Sequence, residues 1–310
     1  MTNYRLIATA RLPRLDGFFC PATWPRPYVP DDARMTQPTL IDLVQKSAAW
    51  LQTKGLPNHR REAEWIFSET LGLSRLELYT RFDMPLGDSD VIRLRERVAR
   101  RGKREPLAYV LGTQPFRALK LAVSPAVLVP RPETEELVDL ILRELPSEPC
   151  RILDVGTGSG ALALSLKQSR PDCTVEATDV SAEALTIARA NAASHGLDVT
   201  FHQGHLAAHL AGPYAVVVAN LPYIAEHERG LCDPELGYEP AMALFAGADG
   251  LDLIRPLIAD AKRLCPDGTL WLEHGWQQGE AITALASASG LTCTIIADSA
   301  DKGRFARISA

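Results

Sequence analysis

From Arg151 to the C-terminus, short apolar runs rich in β-formers alternate with runs of helical spacing. The first junction between them is spelled Asp154-Val155-Gly156-Thr157-Gly158-Ser159-Gly160. Strand then helix, repeated, is the pattern of a parallel sheet with helices on both faces, and no other feature limits the fold so tightly. The runs predict seven strands, at residues 151–155, 174–178, 199–202, 215–219, 269–273, 292–297 and 305–309.

Glycines at alternate positions let the main chain turn sharply out of the first strand and leave room for a ligand against the backbone. An amphipathic helix over residues 161–167 follows, and Asp179 closes the next strand, where an acid can accept hydrogen bonds from two ribose hydroxyls. The candidate cofactor residues are therefore Asp154, Gly156, Thr157, Gly158, Ser159, Gly160 and Asp179. A dinucleotide site reads G-x-G-x-x-G. Here the third glycine comes one residue sooner and an acid precedes the set, which favours S-adenosylmethionine over NAD. Seven strands likewise fit a Rossmann-like methyltransferase sheet better than a six-stranded dehydrogenase sheet.

Behind the fourth expected strand, Ala215-Val216-Val217-Val218-Ala219, stands Asn220-Leu221-Pro222-Tyr223. Such a turn presents a side-chain carbonyl, a turn carbonyl and an aromatic face, a set suited to a planar amino or carboxamide group whose nitrogen is being alkylated. An amide nitrogen is a poor nucleophile because its lone pair is delocalised, so two acceptors must take its N–H bonds and fix its line of attack. Asn220 Oδ1 and the Leu221 carbonyl are the expected acceptors, with Pro222 stiffening the turn and Tyr223 packing on the flat group. The chemistry requires neither a metal nor a covalent intermediate, and the alkylated nitrogen can lose its proton to water. The turn alone suits an adenine or cytosine amino group equally well.

Upstream, residues 1–34 carry five prolines without periodicity and are expected to be a disordered leader or an over-extended start. Residues 35–105 have helical spacing and breakers at Gly55, Gly72 and Gly87, predicting a small helical domain. Residues 106–130 are expected to form a β-hairpin linker pairing residues 108–111 with 119–123, and residues 131–310 the catalytic domain, opened by a helix starting at Pro132.

A net charge of -5 argues against a chain-wide grip on nucleic acid, and no apolar stretch is long enough to span a membrane. The six cysteines lack metal-ligand spacing and are expected to be reduced, in keeping with a cytoplasmic monomer. His202, His205 and His209 lack a nearby acid or cysteine at ligand spacing, so no metal site is expected. The basic stretch from Arg93 to Arg104 reads as a solvated helix face, with a grip on a release factor or RNA as the sharper alternative.

Five segments together resemble the HemK/PrmC-type methyltransferases, which modify the glutamine of the Gly-Gly-Gln loop in peptide chain release factors. They are Arg104-Glu105-Pro106-Leu107-Ala108-Tyr109, Val129-Pro130-Arg131-Pro132-Glu133-Thr134-Glu135, the glycine turn, the Asn220 turn, and Leu272-Glu273-His274-Gly275-Trp276-Gln277-Gln278-Gly279. The resemblance spans residues 38 to 309. It implies a helical N-terminal domain that docks the release factor, a hairpin linker, and a catalytic sheet whose last strand is reversed. Leu221 stands where that family most often has proline, and Gly204-His205-Leu206 where it usually has an acid followed by an apolar residue. Leu206 is expected to pack on the adenine. A ribosomal-protein glutamine methyltransferase, a nucleic-acid amino methyltransferase and a non-catalytic cofactor-binding module are the competing readings. The first of these has Pro-Arg-Ser-Pro where this chain has Pro-Arg-Pro-Glu.

Overall fold

The computed structural model describes residues 39–310, so the expected leader over residues 1–34 lies outside the described residues. Helices α1 (Leu40–Thr53), α2 (His59–Leu71), α3 (Arg75–Thr80), α4 (Asp88–Gly102) and α5 (Leu107–Leu111) come first. The N-terminus of α1 is closed by a reciprocal capping box, Thr39 Oγ1 accepting from Asp42 N and Asp42 Oδ2 from Thr39 N. Leu40, Leu43, Val44, Ala48 and Leu51 of α1 meet Ala63, Ile66 and Phe67 of α2 in a core of their own. The spacing i, i+3, i+4 puts these side chains on one helix face, and their burial against each other is what makes a helix of this length stable.

The expected hairpin exists with a different first strand: β1 (Thr113–Phe116) pairs antiparallel with β2 (Leu119–Ala122). Residues 108–111 are helical, in α5, and not β. An apolar run of four cannot by itself distinguish a buried strand from a buried helical turn. Here Pro106 starts the turn, and Gly112, left-handed at φ 80, ends it by donating its N–H to the Ala108 carbonyl at 2.7 Å.

Helix α6 (Pro132–Glu144) has its proline in the first turn beside Glu133 and Glu135, where a missing N–H costs nothing and carboxylates face the positive end of the dipole. There follow β3 (Arg151–Val155), α7 (Ala161–Ser169), β4 (Thr174–Asp179), α8 (Ala182–His195), β5 (Thr200–Gln203), β6 (Val216–Ala219), α9 (Ile254–Leu264), β7 (Thr269–Glu273), α10 (Gly279–Ala288), β8 (Thr292–Ala297) and β9 (Gly303–Ser309). The sheet runs β5-β4-β3-β6-β7-β9-β8, with β9 antiparallel to both neighbours. Its central strand β6 is buried along its whole length, as a parallel strand covered on both faces must be. Two apolar clusters, one around Leu257 and Leu272 and one around Val138 and Trp271, cover the two faces. The seven-stranded Rossmann-like sheet with a helical N-terminal part and a hairpin is thus the architecture expected. The strand order reverses between β3 and β6, and the crevice at such a switch point is where open α/β sheets bind ligands.

Candidate active site

Val155 and Ala219, the last residues of the neighbouring strands β3 and β6, are register partners, so Gly156 and Asn220 leave the sheet side by side. A cleft of about 1010 Å³, partly open to solvent, lies above them. Gly156, Thr157, Gly158 and Ser159 line it from one loop, Asp179 and Leu206 from the ends of β4 and β5, and Asn220, Leu221 and Pro222 from the other loop. Gly156 and Gly158 have φ of 78° and 56°, the left-handed region that glycine occupies without strain. A Cβ at Gly158 would meet nothing within 4 Å, so the main chain itself faces the cleft there. A Cβ at Gly156 would come within 2.8 Å of Leu221 Cδ2, so glycine lets the two loops touch.

Asp179 accepts from Gly158 N through Oδ2 and from Ser181 N through Oδ1, both at 2.9 Å, and still lines the cleft with acceptor capacity to spare. An adenosyl group with two ribose hydroxyls fits this donor set: exposed backbone at Gly158, a fixed carboxylate, and apolar walls at Leu128, Leu206 and Leu253. Leu206 is held at φ 48°, a conformation that costs a branched side chain about 1 kcal/mol, while it packs against the core beneath the cleft. Asp154 and Gly160 are placed off the cleft wall. Asp154 is fully buried behind the loop, where its Oδ2 accepts from Thr157 Oγ1 at 2.6 Å and from Ala163 N at 3.2 Å. Its burial pushes the carboxyl up to about 7.

A second, smaller pocket adjoins the cleft. Arg131, Asn220, Leu221 and Pro222 line both, whereas Tyr223, Leu236 and Leu244 line only the second. Asn220 Nδ2 donates to Thr134 Oγ1 at 3.1 Å, and Thr134 Oγ1 donates to Glu273 Oε2 at 2.7 Å. Tyr223 Oη reaches Glu273 Oε1 at 3.5 Å. Glu273 is 1% exposed, and that burial pushes its carboxyl up to about 7 against the pull of Thr134 and Arg304. Burial also raises the Tyr223 phenol well above its ordinary range. Gln278 ties the turn down from behind, donating through Nε2 to the carbonyls of Tyr223 at 2.9 Å and Asp249 at 3.0 Å while its Oε1 accepts from Gly275 N. Arg131 pairs with Glu239, which also accepts from Val129 N at 2.9 Å.

The residue pattern assigned no role to Thr134, Glu273, Arg131 or Glu239. The available signal was an acid closing the apolar run Leu270-Trp271-Leu272, at the same sheet edge as Asn220.

Two relatives decide the family. A release factor glutamine methyltransferase of Deinococcus radiodurans is 40% identical over 270 residues, covering 86% of this chain and 97% of the relative. One of Geobacter sulfurreducens is 40% identical over 263 residues, covering 83% and 92%. This chain belongs to the release factor glutamine methyltransferase family. The PrmC N-terminal domain matches residues 42–112 of this family member, and the methyltransferase small domain residues 134–232. The fold alone is also similar to the hMettl16 catalytic domain in complex with MAT2A 3'UTR hairpin 1, at 15% identity and a TM-score of 0.51, covering 84% of this chain and 90% of that one.

In this family member the basic stretch of α4 is largely engaged within the chain. Arg100 pairs with Glu105, and Arg101, only 5% exposed, pairs with Glu62 and Glu235. Arg104 also reaches Glu235, and Tyr238 Oη donates to the Lys103 carbonyl. The helical domain is thereby pinned to the segment that supplies Leu236 to the second pocket and Glu239 to Arg131. His202 pairs with Glu176 at 3.0 Å, and among the described residues no three His, Cys, Asp or Glu side chains are grouped to hold a metal ion. No described helix is long and apolar enough to cross a membrane.

Proposed function

We propose that the chain methylates the side-chain amide nitrogen of the glutamine in the Gly-Gly-Gln loop of peptide chain release factors. S-adenosylmethionine is the methyl donor, and when bound it supplies an electrophilic methyl group on a sulfonium. The observation that carries the reading is the meeting of two cavities at Asn220, Leu221 and Pro222, one of them lined also by the Asp179 carboxylate and the other by Tyr223.

Within this reading, Asp179 and the Gly156–Gly160 turn hold the donor, with Asp154 bracing that turn from behind. Leu206 packs on its adenine. Asn220 Oδ1 and the Leu221 carbonyl accept the two N–H bonds of the glutamine amide, keeping its nitrogen lone pair toward the cleft. The Leu221 carbonyl takes part in none of the backbone hydrogen bonds outside the regular elements, which leaves it available. Leucine in place of proline keeps that carbonyl, and its side chain, 5% exposed, fills the contact with Gly156. Tyr223 walls the pocket and Pro222 fixes the turn. The alkylated nitrogen releases its proton to water.

Residues 35–105 dock the release factor, residues 106–130 link, and residues 131–310 catalyse. The chain works as a cytoplasmic monomer without direct nucleic-acid contact, in keeping with its net charge of -5. Mass spectrometry of a purified release factor incubated with this protein and S-adenosylmethionine tests the reading. One added methyl on the Gly-Gly-Gln peptide is expected; an unmodified peptide, or a methyl elsewhere, overturns it.

A further inference from the structure

We propose that Glu273 and Thr134 are positioning residues that set which end of the Asn220 carboxamide faces the substrate pocket. The inference rests on the methyl-transfer reading above and adds to it a source for the orientation that the reading assumes.

An asparagine amide has an accepting end and a donating end of nearly equal size, and only its hydrogen-bond partners choose between them. Asn220 is half-buried, and the partner of its inner end is Thr134 Oγ1 at 3.1 Å. A hydroxyl has one proton. Where Thr134 gives that proton to the Glu273 carboxylate at 2.7 Å, its oxygen has only lone pairs to offer Asn220, so Asn220 must present Nδ2 inward and Oδ1 outward. The Asn220 amide also lies near enough to stabilise the Glu273 anion directly, which favours the same orientation. The relay spans three elements: Thr134 in the first turn of α6, Asn220 after β6 and Glu273 at the end of β7.

Protonation of Glu273 reverses the logic. A carboxylic acid donates to Thr134 Oγ1, the Thr134 proton turns toward Asn220, and the amide relaxes with Oδ1 inward and Nδ2 toward the pocket. A glutamine N–H then meets a donor and not an acceptor. The other groups facing Glu273 are Tyr223 from the turn, Glu133 from α6 and Arg304 from β9, the last held by Asp298 at 2.9 Å. On the same strand end, His274 is kept neutral by burial. Arg304 favours the anion and Glu133 opposes it, and burial leaves the carboxyl titrating near 7.

Two measurements test this. In the first, kcat, KM for release factor and cofactor affinity are followed from pH 5.5 to 9 in the wild type, Thr134→Val, Thr134→Ser and Glu273→Gln. Thr134→Val is expected to lower kcat on the order of 10- to 100-fold with cofactor affinity unchanged, and serine, which restores the hydroxyl, to recover most of it. The wild-type rate is expected to fall as pH drops through about 7, and Glu273→Gln to abolish that acid limb. Asp154 titrates in the same range, so an acid limb that survives in Glu273→Gln assigns it elsewhere and overturns the proposal, as does a Thr134→Val enzyme of wild-type rate. The second measurement needs no substrate: carboxyl ¹³C NMR of Glu273 in the free protein, with its midpoint near 7 expected to rise in Thr134→Val. An unchanged midpoint breaks the relay whether or not release factor is methylated, whereas an unmethylated release factor with a shifted midpoint faults the functional reading alone.

Discussion

The two cavities that meet at Asn220 are built by opposite means. The cofactor cleft is made largely of backbone: a glycine turn, the main-chain N–H of Gly158 and Ser181, and one carboxylate that those amides hold. Its turn is held by comparatively local contacts: Gly158 to Asp179 spans 21 residues and Ser159 to Asn191 spans 32. The amide pocket is made of side chains whose supports come from far away: Thr134 to Glu273 spans 139 residues, Thr134 to Asn220 spans 86, and Val129 to Glu239 spans 110. Backbone donors are fixed as soon as the strand and turn form. Side-chain acceptors stay free to rotate until the whole sheet has closed around them, so the network of Thr134, Asn220 and Glu273 must be fully satisfied to be stable.

The comparison predicts a division of labour that mutation can break. Asn220→Ala is expected to lower kcat about 10²- to 10³-fold while cofactor affinity changes by less than about threefold, the cost of removing one preorganised acceptor. Single-turnover methylation and calorimetry of cofactor binding separate the two effects. A comparable loss of cofactor affinity would mean that the two halves are one site.

Next in size is a stability effect confined to the amide half. The Glu273 carboxyl binds its proton more tightly folded than unfolded, so the contribution is whole below pH 4.5 and is lost as pH rises to about 7. Glutamine does not titrate. Glu273→Gln should therefore gain on the wild type as pH rises from 4.5 to 7, by at most about 3 kcal/mol at roughly 1.4 kcal/mol per unit, and the gap should then level off. Urea denaturation at pH 5 and pH 8 measures it. A gap that shrinks with pH would show that Glu273 is stabilised as an anion.

Asp179→Ala sharpens the other side. Losing a carboxylate that two backbone amides orient should weaken S-adenosylmethionine on the order of 10- to 100-fold, as expected for hydrogen bonds to a charged group, with no change in how release factor binds. Equilibrium dialysis and a release-factor pull-down read the two quantities.

The same contrast explains what could be read in advance. Each strand expected of the seven-stranded sheet was found within two residues at either end, because a parallel sheet with βα crossovers imposes apolar runs of strand length on the chain. The glycine turn was legible because backbone chemistry needs a particular residue at a particular spacing. Thr134, Glu273 and Glu239 were not legible: a threonine in a first helical turn has an ordinary capping explanation, and an acid closing a strand has an ordinary solvent one. What distinguishes them is their juxtaposition across three elements, which is a property of the closed sheet. Residues 108–111 failed for a different reason, since local propensity was read without weighing the left-handed Gly112 that terminates α5.

The smallest effect is also the most discriminating between backbone and side-chain construction. Gly158→Ala places a methyl where nothing lies within 4 Å, so crowding of the free protein is absent and only the φ of 56° resists it. A non-glycine residue in that region costs about 1 kcal/mol, which denaturation should register directly. In a cleft whose ligand rests on the main chain, that methyl also occupies ligand space, so cofactor affinity should fall while the Glu273 titration stays where it was. Were affinity to survive intact, the donor would have to sit clear of Gly158, and the cleft would be a side-chain site like its neighbour.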